Sequence, residues 1–341
     1  MSRASANAGP AARPLAELTA GFAAVPADVL VSDVTLDSRT ARPGALFLAC
    51  RGRTHHGLEF AADAVSRGAR AVLYERDAAD GEPVPRFPAG TFVAAVPSLS
   101  ERVGLIADRF FGAPSEQLTI AAITGTNGKT TCAWLLAQAL AMSGRPAAYI
   151  GTLGFGPPAR LTPTLHTTSD AVSIQRQLRA LRSLGAECVS MEVSSHALDQ
   201  GRVDAVRFHT AAFTNLTRDH LDYHGTMEAY GAAKARLFGW ARLAHRVINV
   251  DDAFGARLAG APSSAPLTVT TRAAHAPVRD CEAHQSPGRR HDGALVDRTG
   301  RHRKLRLVAG TSSCRTARLS LREQGHTQRR SCLPRRSSVS A

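Results

Sequence analysis

Lysine is almost missing from this chain: of 42 basic residues in 341, three are lysines, at Lys129, Lys234 and Lys304. Arginine serves wherever a cation will do. A lysine that persists therefore points to chemistry arginine cannot supply, a compact point charge or an amine whose pKa can fall far enough to make it a nucleophile. No apolar run approaches the length needed to cross a bilayer, and residues 1–14, mostly Ala, Ser, Pro and Arg, contain no apolar h-region. Neither secretion nor membrane anchoring is expected, and the expected location is the cytoplasm. The six cysteines, Cys50, Cys132, Cys188, Cys281, Cys314 and Cys332, form no C-x-x-C pair and no zinc spacing, so they read as reduced bystanders.

A net charge of +14, evenly spread, would suggest a nucleic-acid partner. It is not evenly spread: residues 271–341 hold 16 Lys+Arg against 5 Asp+Glu, whereas the first 270 hold 26 against 23. The body is close to neutral, and no nucleic-acid partner is expected. Its length and 44% hydrophobic content allow two or three domains with cores of their own.

What is present is organised around Ile120-Ala-Ala-Ile-Thr-Gly-Thr-Asn-Gly-Lys-Thr-Thr131. The apolar run Leu118 to Ile123 predicts a buried strand, and Lys129 to Met142, closed by Gly144, predicts a helix. Between them Gly125 and Gly128 let the backbone curl, so that successive N–H groups and the helix N-terminus converge on an anion. Lys129 adds a point charge, and the Thr130 hydroxyl suits Mg²⁺. The loop is a tighter G-x-x-G-K-T form of the common phosphate-binding pattern.

Residues 1–14 read as a flexible N-terminus and 15–112 as a first α/β unit. That unit has a helix Leu15 to Ala23, strands Val31 to Leu36, Ala45 to Ala49, Ala69 to Tyr74 and Thr91 to Val96, and helices Leu58 to Arg67 and Leu99 to Phe110. Phe111 to Ser115 reads as a linker, and Gly81 to Pro88 as a surface loop. From 116 to about 260 strand and helix alternate: after the phosphate loop come Pro146 to Gly151, a helix Ala171 to Leu184, strands Glu187 to Val193 and His209 to Asn215, a helix Met227 to Phe238, and Arg246 to Val250. This is the pattern of a doubly wound parallel sheet, in which ligands lie beyond the carboxyl ends of the strands; Thr124, Glu192 and Asn215 stand there. Residues 261–341 lose the periodicity. They read either as a disordered basic tail or as an out-of-frame translation of a GC-rich gene, the second favoured because disordered segments avoid cysteine.

Glu192 follows a strand and can hold Mg²⁺ beside a triphosphate. The neighbouring Ser-His pair, Ser195 and His196, lacks a G-x-S-x-G elbow, so serine nucleophile chemistry is not expected. Asp219, His220, Asp222 and His224 crowd one loop. Alone they could form a zinc site or a polar loop; beside a phosphate loop the economical reading is one imidazole joining Glu192 on a second Mg²⁺. Lys234 sits on a helix among small residues, where it is either a surface lysine or the second lysine with a chemical task.

Together, Asp37-Ser38-Arg39, Thr124 to Thr131, Met191 to Val203, Phe213 to His224 and Tyr230 to Phe238 resemble the Mur ligases, ATP-dependent amide-forming enzymes of peptidoglycan synthesis. The resemblance covers roughly residues 15–260. It implies a monomer with an N-terminal substrate domain (15–112) and an incomplete ATP-binding central domain (116–260). ATP would lie on Gly125, Thr126, Asn127, Gly128, Lys129, Thr130 and Thr131. Magnesium would be held by Thr130, Glu192, His220 and Lys234, the last matching the family's carbamylated lysine, so that Lys129, Lys234, Glu192 and His220 form the catalytic set. Leu36, Ser38, Arg53, Thr54 and His55 would hold the uridine end of a UDP-N-acetylmuramoyl-dipeptide, and Thr167, Thr168, Ser194, Gln200 and Arg202 its muramoyl-dipeptide end. His166 stands where some relatives have Asn. The second substrate would be a diamino acid, meso-diaminopimelate by overall likeness, with L-lysine the alternative. The cluster Ser194 to Arg202 favours this branch over the D-alanyl-D-alanine-adding ligases and folylpolyglutamate synthases. The Asp-Asn-Pro-Arg motif, with which the family receives the incoming amino acid, is not recognisable in these residues, so a nucleotide-binding fragment without ligase activity is the other expectation.

Overall fold

The computed structural model describes residues 11–52, 54–76, 85–164, 166–260 and 266–270, together with the strands at 293–296, 302–306 and 320–321. The chain divides into two units, 1–276 and 277–341. The first unit opens with β1 (Arg13–Pro14), α1 (Leu15–Thr19), β2 (Leu30–Val31), β3 (Asp33–Thr35), β4 (Ala45–Ala49), α2 (Ala61–Ser66), β5 (Ala71–Glu75), β6 (Phe92–Val96) and α3 (Leu99–Phe111). β3 to β6 form a parallel sheet in sequence order. Every residue of β4 and β5 is buried, as the apolar runs Ala45–Ala49 and Ala71–Tyr74 in the middle of a parallel sheet require, and β5 ends in the buried Glu75. Leu46, Leu48 and Leu73 face α1 and α3, whereas Phe47, Val72 and Tyr74 face α2.

Local chemistry moves several expected boundaries. α1 stops at Thr19 instead of Ala23, because Gly21 turns the chain at φ +89°. The expected strand Val31 to Leu36 breaks at Ser32, whose N–H donates to Gly44 O and whose hydroxyl donates to Pro43 O. Its first part pairs antiparallel with β1 and its second joins the parallel sheet. The segment expected as a linker is packed: Phe111 ends α3 in the core, Gly112 caps the helix in the left-handed region, and Pro114 and Ser115 are buried. Of the expected surface loop, residues 81–84 lie outside the described residues.

The chain continues through β7 (Thr119–Thr124), α4 (Lys129–Met142), β8 (Ala147–Gly151), β9 (Gly154–Gly156), α5 (Ala171–Ser183), β10 (Cys188–Glu192), α6 (Ser195–Asp199), β11 (Thr210–Phe213), α7 (Leu221–His224), α8 (Met227–Ala235), β12 (His245–Asn249), α9 (Ala253–Ala259) and β13 (Leu267–Val269). These strands form one sheet in the order β13-β12-β11-β7-β10-β8-β9, parallel except for the β8–β9 hairpin. From β7 the chain passes over β10's place to β8, returns to β10, and then crosses to β11 on the other side of β7. The order reverses there, opening a crevice beyond the carboxyl ends of β7, β10 and β11. Register brings three chemical segments to that edge, pairing Glu192 with Ile123 and Phe213 with Thr124. Ile174, Leu178 and Leu181 of α5 pack on Val189 and Met191 from one face. Ala133 and Ala137 of α4 pack on Ile123 and Tyr149 from the other.

β13 lies beyond the expected domain boundary near residue 260; a three-residue strand is too short to show a period. In the second unit, β14 (Gly293–Val296), β15 (His302–Arg306) and β16 (Ser320–Leu321) form an antiparallel sheet. The rest of the expected tail lies outside the described residues. Among the described residues no helix is long and apolar enough to cross a membrane.

Candidate active site

β7 delivers the chain into a loop whose shape depends on two glycines. Gly125 has φ +147°, and a Cβ there would stand 1.9 Å from Thr214 Oγ1; Gly128, at φ +82°, is the N-cap of α4. The loop is clamped by the segment after β11. Thr126 N–H donates to Asn215 O at 2.8 Å, Asn127 N–H to Asn215 Oδ1 at 2.9 Å, and the Thr214 hydroxyl to Asn127 O at 2.7 Å. Asn249 on β12 holds that clamp in turn, donating from Nδ2 to Thr214 O at 2.7 Å. Lys129 arches over the loop, its Nζ donating to Gly125 O and Thr126 O at 3.0 and 2.9 Å. Burial lowers its pKa from the ordinary lysine value, and Glu192 and Asp219 pull the other way.

Glu192, at the end of β10, is fully buried. Its Oε2 accepts from the hydroxyls of Thr130 at 2.8 Å and Thr152 at 3.3 Å. Its Oε1 accepts from Thr152 N–H at 3.0 Å and from the Tyr149 hydroxyl. A buried carboxylate needs such donors to stay charged. Thr130 and Glu192, expected to share a cation, do converge. Among the described residues no group of three or more His, Cys, Asp or Glu side chains is arranged to hold a metal. The donor set that exists is carboxylate and hydroxyl oxygen, which suits a hard cation such as Mg²⁺ and no softer one. Gly151 passes this carboxylate so closely that an added Cβ would stand 2.3 Å from Oε1 and 2.5 Å from the Tyr149 hydroxyl. Gly151→Ala is therefore expected to cost about 2 kcal/mol by overpacking, read as a lowered urea midpoint at unchanged m-value.

Lys234 is 1% exposed. Its enclosure is not the expected one: Ala232 is exposed and Ala235 half-buried. One helical turn places Tyr230 beneath the amine, which lies 4.3 Å from the ring centroid and donates to Gly125 O at 2.9 Å. Burial, and next the charge of Lys129, bring its pKa down to about 7, against the pull of Asp219. Tyr230 also reaches the phosphate loop, its hydroxyl 3.2 Å from Thr126 Oγ1.

His220 is exposed, at φ +50°, and its neighbours are Asp219, at 3.4 Å, and the rings of His196 and Tyr230. The partners of Glu192 are Thr130, Thr152 and Tyr149, so His220 belongs to a separate aromatic group with His196, Tyr223 and His224. Ser195 does find a histidine, but it is His224 Nε2 at 3.0 Å, not its neighbour His196. Ser195 itself is 1% exposed.

Thr167, Thr168, Ser194, Gln200 and Arg202 are brought together. The Thr168 hydroxyl donates to Glu192 O at 3.1 Å and accepts from Ser194 N–H at 3.2 Å. Arg202 donates to Thr168 O at 3.0 Å and to Gln200 Oε1 at 2.8 Å. Thr167 lies 3.0 Å from the Thr152 hydroxyl, and His166 is exposed beside it. Leu36 and Ser38 follow the carboxyl end of β3, and Thr54 and His55 follow that of the adjacent β4, His55 pairing with Glu59 at 3.1 Å. Arg53 lies outside the described residues. Tyr149, Thr152, Tyr230 and Asn249 were not expected at the site. The one signal for Tyr149 was a lone phenol in the apolar strand Ala147 to Gly151, which must find a partner when buried.

The Mur ligase middle domain matches residues 123–301, and the Mur ligase family catalytic domain matches residues 30–111. The chain belongs to the Mur ligase family. Within it, the chain is 52% identical over 248 residues to a UDP-N-acetylmuramoyl-L-alanyl-D-glutamate–2,6-diaminopimelate ligase of Xanthomonas campestris, covering 72% of this chain and 49% of that one. It is 50% identical over 240 residues to the ligase of the same name from Pseudomonas aeruginosa, covering 70% and 48%. A solved structure bearing that name superposes with a TM-score of 0.63 at 29% identity, over 86% of this chain and 57% of that one. MurF of Acinetobacter baumannii, at 20% identity and a TM-score of 0.56 over 77% and 54%, shares the fold. The chain thus spans about half the length of the curated relatives it matches, and the middle-domain match runs past the expected limit near 260.

Proposed function

We propose that this chain forms the uridine-nucleotide-binding and ATP-binding parts of a ligase that joins a diamino acid, meso-diaminopimelate, to the D-Glu of UDP-N-acetylmuramoyl-L-alanyl-D-glutamate. The observation that carries the reading is the convergence of Lys129, Thr130 and Glu192 at the carboxyl edge of β7 and β10, with the Thr168–Ser194–Arg202 group hydrogen-bonded to the backbone of the same Glu192. The D-Glu side-chain carboxylate would attack the γ-phosphorus of ATP, the bond to ADP would break, and the amine would then attack the acyl carbon and release phosphate. Two anions must meet, so the task of the protein is to neutralise and to position. Lys129 supplies one positive charge, and the N–H groups from Gly128 to Thr131, at the N-terminus of α4, would surround the phosphates. Magnesium, when bound, would supply positive charge against the phosphates. Thr130 and Glu192 would hold it, and Lys234 as a carbamate would support a second ion, which His220 could join only by leaving the aromatic group in which it lies. Arg202, fixed on Thr168 and Gln200, would orient the dipeptide carboxylates. The relatives' name supports diaminopimelate as the amine donor.

A second reading, nucleotide binding without ligation, is favoured by the half-length span of the match. Titration calorimetry with ADP and Mg²⁺, alongside mass spectrometry for UDP-muramoyl-tripeptide, separates the two. Magnesium-dependent ADP binding is expected in either case, and its absence would refute both. Tripeptide formed by these 341 residues alone would exclude the second.

A further inference from the structure

The two parallel sheets of the first unit meet along α5. Its first residues, Ala171 and Val172, belong to the apolar core of the first sheet, and Ile174, Leu178 and Leu181 belong to that of the second. Two arginines of α5 cross this seam: Arg179 Nη1 donates to Phe111 O at 3.4 Å, and Arg176 makes the shorter contacts. Arg176 Nη2 donates to Asp33 Oδ1 and to Val34 O, each at 2.9 Å, and its guanidinium lies 5.1 Å from the Phe111 ring centroid. Asp33 is prepared for the contact: its side chain is 15% exposed, and the same Oδ1 accepts from Val34 N–H at 2.8 Å. Both partners of Arg176 lie on β3, which runs directly into Leu36 and Ser38. Helix α5 itself begins three residues after Thr168, and Asp170 caps it by accepting from Val172 and Ser173 N–H.

We propose that Arg176 is a positioning residue that sets the separation between the two ends of the substrate site. This rests on the function proposed above. One guanidinium holds the strand leading to the uridine end against the helix following the peptide end. A ligand that reaches both ends gains from each only while the spacing of the protein matches its own. When that spacing is free to vary, the effective concentration of the second end at its subsite falls, although neither subsite has changed. The apolar contacts of Ala171 and Val172, the Arg179–Phe111 contact and the pairing of Arg207 with Asp108 at 3.7 Å keep the domains together without Arg176. At β3, however, the directed, charge-assisted hydrogen bonds of Arg176 fix distance and orientation more tightly than apolar contact does.

The test compares UDP with UDP-N-acetylmuramoyl-L-alanyl-D-glutamate as ligands of the wild-type chain, Arg176→Ala and Arg176→Lys. Arg176→Ala is expected to weaken the dipeptide nucleotide about tenfold while UDP changes less than about twofold and ADP binding is unaltered. Arg176→Lys, which keeps a charged donor, is expected to restore most of the loss. Equal weakening of both ligands would show a merely structural role, and no weakening of either would show no role; each overturns the proposal. Hydrogen exchange without ligand provides the independent readout. Amides of residues 30–38 and 171–183 are expected to exchange faster in Arg176→Ala while those of β10 do not, and unaltered exchange at the seam overturns the proposal too. If the wild-type chain binds neither UDP nor the dipeptide nucleotide, the functional reading fails, while the exchange measurement still reads the contact.

Discussion

Lys234→Arg is expected to destabilise the chain by about 3–5 kcal/mol, the range for an uncompensated buried charge, whereas Lys234→Met is expected to leave it as stable as wild type or more so. The difference follows from what each side chain can do at a site 1% exposed. Lysine can shed its proton there, because burial and the neighbouring Lys129 bring its pKa from 10.5 to about 7. Arginine cannot. Methionine fills a similar volume without charge, and Gly125 O keeps a donor in Lys129. The same shift dictates a pH dependence. Between pH 7 and 10.5 the unfolded chain holds a proton on Lys234 that the folded chain does not, so this residue makes stability rise with pH across that window. Below pH 7 its cost is constant and largest, at most about 5 kcal/mol. Urea denaturation of wild type and Lys234→Met at pH 6, 8 and 10 should show the gap between them closing as pH rises; a constant gap would refute the depressed amine. A neutral amine is also what CO₂ requires. The neutral nitrogen bonds to the carbon and one proton leaves, so that the amine goes from 0 to −1 (from +1 to −1, with two protons lost, if counted from the ammonium) and gains the hard oxygen ligands that Mg²⁺ prefers. With ¹³C-bicarbonate, a carbamate resonance is expected in wild type and absent from Lys234→Arg.

The parts of this site legible in the sequence were those written in one continuous stretch. The phosphate loop could be read because strand, glycines, lysine and helix follow one another within twelve residues, and buried parallel strands such as Ala45 to Ala49 show as unbroken apolar runs. Short elements were not legible: β9, α6 and α7 are three to five residues long, and no period develops over so few. Nor was side-chain partnership across the sheet. Tyr149 and Glu192 are 43 residues apart and meet because β8 and β10 are neighbours, an order that hydrophobic patterning does not encode. The surroundings of Lys234 were misjudged for a related reason. Adjacent alanines suggested burial by small residues, whereas a helix presents position i−4, here Tyr230, to the side chain, and Gly125 arrives from a distant loop.

Glu192→Gln should separate the structural task of this carboxylate from its proposed magnesium task. All its contacts are with donors, but of two kinds. On the Oε1 side stands Thr152 N–H, which cannot reverse, together with the Tyr149 hydroxyl; on the Oε2 side stand the Thr130 and Thr152 hydroxyls, which can turn to accept. A glutamine therefore fits with its carbonyl toward Thr152 N–H and its NH₂ toward the two threonines. The loss is that of charge assistance, about 1–2 kcal/mol, and the fold is expected to survive. The NH₂ then points beside Thr130, where a cation would be held, and presents positive hydrogens to it. Nucleotide affinity in Mg²⁺ is accordingly expected to fall at least about a hundredfold, or about 2.7 kcal/mol, while affinity in EDTA stays near that of wild type. Glu192→Ala, by contrast, removes both oxygens and leaves a void where the Thr152 N–H and the Tyr149 hydroxyl had this acceptor, so that it should lose about 2–4 kcal/mol of stability as well. Calorimetric titration of ADP with and without Mg²⁺, paired with urea denaturation of the same samples, reads both quantities. An unaltered magnesium dependence in Glu192→Gln would remove Glu192 from the cation site and leave it as a support for Tyr149 and Thr152.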